Sequence, residues 1–204
     1  TLATEAAAVE LDVLGRIMGK QDHFAASYGS FNVYTFNGDE TVTVEPVYYV
    51  PEVVESLASR LMLFYLGDQR DASEVLKAQA AATAEKESVL SAMCDMVDPM
   101  VEILSGRGDL SEVGPMLHES WLLKRSITEQ ISNHEIDEAY RRATGAGASG
   151  GKLVGAGGGG FLMFYVEPDR QEDVVTALAG MPFVQPSFDI SGSRITYYEP
   201  SHIG

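Results

Sequence analysis

Three short stretches hold residue types whose spacing could do chemistry. The first is Gly145 to Gly160, GAGASGGKLVGAGGGG, followed by the apolar run from Phe161 to Val166. Glycine has no Cβ, so such a segment can bring several backbone N–H groups close to a phosphate, or it can be a slack linker. The interior Lys152-Leu153-Val154 argues against slack. It predicts a short strand pairing with residues 161–166, which turns the glycines into a tight hairpin loop. The second stretch is Lys20-Gln21-Asp22-His23, set between Gly19 and Gly29. A charged residue between glycines is also the ordinary signature of a turn or cap, and Asp22 alone fits that description. The third is Asp68, Arg70 and Asp71, just past an apolar run. Arg70 there could hold a phosphate or simply be solvated.

Other chemistries are excluded. His23, His118, His134 and His202 have no metal-ligand spacing with one another or with Cys94, so no zinc site is expected and no metal ligand is assigned. There is no Walker-type phosphate loop, no dinucleotide fingerprint after a first strand and no nucleophile elbow. The single Cys94 rules out an internal disulfide. Its apolar helical surroundings predict core packing, and its isolation predicts an intracellular, cytoplasmic protein. Net charge is −16, from 30 acidic and 14 basic residues. That argues against nucleic acid or an anionic membrane as partner. It also means that any phosphate site must reverse the mean field locally, with backbone N–H groups, a metal ion or a few placed cations. No apolar run reaches transmembrane length and no signal-peptide pattern is present.

The elements that must position these residues follow from periodicity. Residues 1–18 predict a helix capped by Thr4 and ending near Gly15 or Gly19. Residues 19–31 predict a loop with a short helical turn. Residues 32–36 and 40–44, around Asn37-Gly38, predict a hairpin, and Pro46 and Pro51 mark a domain boundary near residue 55. Residues 61–66 predict a buried strand. Asp71-Ala-Ser-Glu74 is a capping box, opening a long helix through Leu104 that Pro99 should kink. The methionines at helical spacing in it read as core. Asp109-Leu-Ser-Glu112 opens a helix through Trp121 and Lys124, and Asn133 caps one closed by Gly145. After 161–166 come a helix from Pro168 to Leu178 and strands at 183–188 and 192–198. From residue 56 the order predicts an α+β layer of split βαβ type, with helices on one face of a mostly antiparallel sheet.

GGKLVGAGGGGF resembles the third signature motif of the GHMP small-molecule kinases. GKQDHFAASYGSFNVYTF, LMLFYLGDQRDASEVLKAQ, LHESWLLKRSITEQISN and GSRITYYEP, in that order, resemble its D-glycero-D-manno-heptose 7-phosphate kinase branch, and fucose kinase-like relatives share some of these blocks. The resemblance implies the tail of a GHMP kinase amino-terminal domain over residues 1–55. A ferredoxin-like carboxyl-terminal domain would follow over 56–204. It implies ATP-dependent, Mg²⁺-dependent phosphorylation of a sugar or sugar phosphate at the anomeric hydroxyl, with ATP and a sugar phosphate as the small-molecule partners.

Carried over by position, Asp22 would be the catalytic base. Gly155, Ala156, Gly157, Gly158 and Gly159 would form the nucleotide-side phosphate loop. A phosphorylated acceptor would also need a cation, for which Lys20 and Arg70 are the candidates. The family's first motif and its P-x-x-x-G-L-G-S-S-A loop have no match. The chain therefore reads as the later part of such a kinase, with the Mg²⁺ ligands expected mainly in an amino-terminal segment outside it, or as a homodimer. The alternative is a non-catalytic ferredoxin-like binding or regulatory module derived from such a kinase.

Overall fold

The computed structural model describes residues 1–67, 72–197 and 199, with the side chains of 72, 73 and 84 excepted. The chain forms two compact units, one of residues 1–46 with 188 onward and one of residues 47–187. The sequence reading placed a boundary near residue 55.

In the first unit, α1 spans Leu2–Ala8. Its cap is Thr1, whose hydroxyl accepts from the Thr4 amide, and not Thr4 as expected. The chain then loosens into a π-helical turn at Val9–Val13 and stops at Gly15, whose φ is +63°. Residues 19–31 hold a full helix, α2, at Gln21–Tyr28. Phe24 is its buried anchor, ringed by Tyr28, Tyr34 and Phe36 at centroid distances of 6.1–6.3 Å.

The expected hairpin forms, but with a longer turn. Strand β1 (Asn32–Phe36) pairs with β2 (Val42–Pro46), so residues 37–41 make the connection. The Asp39 carboxylate accepts from the amide and hydroxyl of Thr41, and the left-handed residue is Glu40 (φ +68°) rather than Gly38. These local bonds outcompete the two-residue Asn-Gly turn. The expected last strand does not form over the described residues 192–197. Instead Ser193 donates from its amide to Ser27 O and from its hydroxyl to Ala26 O, serving carbonyls at the end of α2 that have no partner within the helix.

In the second unit, α3 (Pro51–Arg60) leads into β3 (Leu61–Tyr65). The expected long helix is broken into α4 (Ala72–Ala82), a 3-10 turn at Thr83–Glu85, α5 (Glu87–Cys94) and α6 (Val97–Leu104). The break falls before Pro99, which lies in the first turn of α6, where a missing amide leaves no intrahelical bond unmade. The break also corrects a side-chain expectation. Cys94 is exposed at the end of α5, because Val89, Leu90 and Met93 take the inward face.

Beyond it lie α7 (Val113–Arg125), α8 (His134–Gly145), β4 (Gly150–Val154), β5 (Phe161–Tyr165), α9 (Gln171–Ala177) and the short β6 (Phe183–Val184). Strand β6 covers only the start of the predicted 183–188, since Pro186 has no amide for the ladder. The sheet order is β4-β5-β3-β6, and every pairing is antiparallel. Strand β5 therefore sits between β3 and β4, which run parallel to each other. This is the split βαβ arrangement of a ferredoxin-like α+β layer. Phe64, Leu153, Leu162, Phe164, Trp121, Ile131, Ile136 and Ala143 form the core between sheet and helices, each 0–1% exposed.

Helix α7 lies unusually close to β4. A Cβ on Gly150 would meet the Gly114 carbonyl oxygen, and a Cβ on Gly114 would lie 2.5 Å from the Ser149 Cβ. Gly150→Ala should lower unfolding stability by about 1–3 kcal/mol through overpacking. Gly145→Ala, where a Cβ meets open space, should leave it near wild type. Denaturant midpoints of the two variants at matched slope check this.

Candidate functional site

Each unit carries part of the expected site. In the second unit, Gly155 to Gly160 connect β4 to β5 directly, since Val154 pairs with Phe161. Gly155, Gly157, Gly158 and Gly160 have φ of +92°, +131°, +79° and +98°. Side chains disfavour this left-handed region, so the composition of the loop is a backbone requirement. Gly157 is doubly constrained, because a Cβ there would lie 3.0 Å from both Ile131 Cα and Val75 Cγ1.

The loop is pinned rather than slack. The Gly158 amide donates to Ile131 O at 3.1 Å, and Asn133 Nδ2 donates to Gly158 O at 3.5 Å. The Leu66 amide, just past β3, donates to Gly160 O at 2.8 Å, and Lys124 Nζ donates to Gly155 O. Among the described residues, the amides of Ala156, Gly157 and Gly159 have no acceptor.

Helix α8 begins beside this loop. Asn133 caps it, accepting from the Ile136 amide at 3.0 Å, while its Nδ2 reaches the loop. The helix start is tied to the end of α7 by Arg125, which donates to Asp137 at 2.9 Å, and Ser132 Oγ, just before α8, donates to the same carboxylate at 2.6 Å. Leu66, Asn133, His134, Ile136, Gly158 and Gly159 line a cleft of about 320 Å³, with Glu135 at its wall. Two residues of the loop, Gly158 and Gly159, and the positive end of a 12-residue helix dipole line one space. The Glu135 carboxylate opposes them there.

On the other side of the loop stand two lysines. Lys124, late in α7, and Lys152, in β4, are both half-buried. Burial first, then repulsion from Lys152, brings the Lys124 ammonium down to about 8. Burial alone lowers Lys152. Sequence reasoning took Lys124 only as the end of a helix and Lys152 as the start of a motif. Ser120 and Lys124, four residues apart on one helix face, were the available signal.

In the first unit, Asp22 lies in the first turn of α2 and is exposed. Its neighbour His23 has its Nδ1 buried without a hydrogen-bond partner among the described residues. Lys20 Nζ donates to Glu40 O at 3.3 Å and pairs with the Glu40 carboxylate at 3.7 Å. Lys20, Phe24, Tyr28, Phe36, Asp39 and Glu40 help line a cavity of about 740 Å³ whose wall does not include Asp22. Arg70 lies outside the described residues. Among the described residues no three His, Cys, Asp or Glu side chains converge on a metal position. No helix among them is long and apolar enough to cross a membrane.

A split βαβ sheet whose glycine hairpin abuts a capped helix start defines a class. Residues 100–181 match the family described as GHMP kinases C terminal. The chain is 30% identical over 172 residues to the D-glycero-alpha-D-manno-heptose 7-phosphate kinase of Campylobacter jejuni, covering 83% of this chain and 50% of that protein. It is 35% identical over 103 residues to the mevalonate kinase of Pyrococcus horikoshii, covering 48% of this chain and 30% of that one. A crystal structure titled as a D-glycero-D-manno-heptose 1-phosphate kinase from Bacteriodes thetaiotaomicron superposes with a TM-score of 0.64 at 30% identity. It covers 91% of this chain and 51% of that chain. The chain thus spans about half the length of these heptose kinase relatives.

The lysine pair generates a pH prediction. Lys124 titrates near 8 in the folded chain and at its ordinary 10.5 when unfolded. Between those values the unfolded chain holds a proton that the folded chain has released, so this group makes stability rise with pH across the window. Below pH 8 both states are protonated and the full cost of the buried charge is present. Denaturation of wild type and Lys124→Met from pH 7 to 10.5 should show the wild type gaining on the variant as pH rises.

Proposed function

We propose that the protein is an ATP- and Mg²⁺-dependent sugar 1-kinase of the cytoplasm. Its acceptor would be a heptose 7-phosphate and its product the 1-phosphate ester. The observation that carries this reading is the likeness to a heptose 7-phosphate kinase over 172 residues, a length greater than that of residues 47–187. The likeness therefore extends beyond the GHMP carboxyl-terminal domain into the unit that holds Asp22.

In this reading Asp22 accepts the proton of the anomeric hydroxyl as it attacks the terminal phosphoryl group. It lies exposed in the first turn of α2. Phosphoryl transfer needs positioning and charge stabilisation more than covalent help from the protein. The amides of Ala156, Gly157 and Gly159 offer donors to phosphate oxygens, and the start of α8 adds positive potential. Mg²⁺ would neutralise charge on the nucleotide. The described residues supply no cluster suited to hold it, and no step is assigned to it. The Lys20 ammonium is already paired with Glu40, so a role at the acceptor phosphate requires that pair to open.

Full-length protein screened for ATP consumption should prefer heptose 7-phosphate over fucose, galactose and mevalonate. Asp22→Asn should cut kcat by about 10²–10⁴-fold with nucleotide affinity little changed. Near-normal turnover of that variant would overturn the assignment of Asp22. Turnover with mevalonate alone would overturn the acceptor. No turnover with any acceptor would favour the non-catalytic module.

A further inference from the structure

We propose that Lys124, Lys152 and Ser120 form an anion site for a phosphate dianion, beside the first residue of the glycine loop and independent of the kinase reading. The two lysines come from different elements. Lys152 Nζ donates to Ser120 Oγ at 3.4 Å, and Lys124, one helical turn beyond Ser120, donates to Gly155 O. Each ammonium has three donors and one protein acceptor, so both have hydrogen-bonding capacity to spare. Neither forms an ion pair with a carboxylate among the described residues.

These two ammoniums lack a carboxylate partner in a chain whose acidic residues outnumber its basic ones 30 to 14. Half-buried charges are ordinarily paired, because desolvation is costly and like charges side by side add to the cost. Two neighbouring ammoniums without a counter-charge are therefore a strained arrangement that a doubly charged ligand relieves. A phosphate matches on three counts. It carries about two charges near neutrality, it offers three acceptor oxygens, and the Ser120 hydroxyl can supply a further donor. Close packing of α7 on β4 holds all three side chains on rigid elements, so little ordering is needed on binding. A carboxylate would supply one charge for two ammoniums. The ligand class is thus a phosphate group, free or as a monoester.

The test is lysine-resolved NMR of the full chain at pH 7, titrated with inorganic phosphate against potassium chloride at constant ionic strength. The Cε signals of Lys124 and Lys152 should move together and saturate with one Kd, while those of Lys77 and Lys86 stay still. Lys152→Met should weaken binding at Lys124 by at least about tenfold. Lys124→Arg, which keeps the charge and guards against a folding defect, should retain binding within a few-fold. Parallel titrations with glucose 6-phosphate and with AMP separate the sources. Tighter binding of one monoester than of phosphate at the same two lysines assigns the site to that ester, and equal binding assigns it to free phosphate. Shifts that do not saturate, that chloride reproduces, or that include Lys77 equally would overturn the proposal.

Discussion

The close approach of helix α7 to strand β4 is the constraint on which the second unit depends. Gly114 and Gly150 meet backbone to backbone, with the side chains of His118, Ser149 and Tyr165 close around the contact. No other residue type fits between them. The seam fixes the depth of the helix on the sheet, so Trp121, fully buried, can fill the core beneath it. It also sets one face of α7 along the outer edge of β4. The side chains near Gly155 are thus placed by a packing contact at the opposite end of strand β4.

A second theme is electrostatic. The chain as a whole repels anions, yet its glycine hairpin is surrounded by donors: unpartnered amides, a capped helix start and two ammoniums. Backbone groups contribute potential without adding formal charge, which lets an acidic protein keep a locally positive surface. Glu135 moderates that potential on one side of the loop, and no carboxylate among the described residues pairs with the lysines on the other. The two sides of one loop are therefore electrostatically distinct.

Much of this was legible in the sequence, for reasons that are local. Asn133 as a helix cap, the pairing of 152–154 with 161–166 and the buried strand from Leu61 each depend on residues near in sequence. Strand order followed from the sequence of element types. What was not legible depended on distant partners. Residues 192–197 have strand-like composition, but the carbonyls ending α2 claimed Ser193. The span from Asp71 to Leu104 keeps helical periodicity across its breaks, because each new helix buries an apolar face, α4 and α5 in the main core and α6, through Ile103 and Leu104, apart from it. Periodicity therefore could not reveal that Cys94 had rotated outward. Lys124 was passed over because a lysine near a helix end is ordinary. Only the arrival of β4 beside it makes it unusual.

The first unit is assembled from the two ends of the chain. Phe31 packs on Phe188 at 5.0 Å, and Gly29 and Gly192 approach so closely that neither tolerates a Cβ. During synthesis, residues 47–187 leave the ribosome complete and can fold at once, while residues 1–46 must wait for their last partners. The candidate base on α2 thus belongs to a unit that residues 188 onward must complete. A ribosome that stalls or terminates near residue 187 would release a finished glycine loop alongside an unfinished helix.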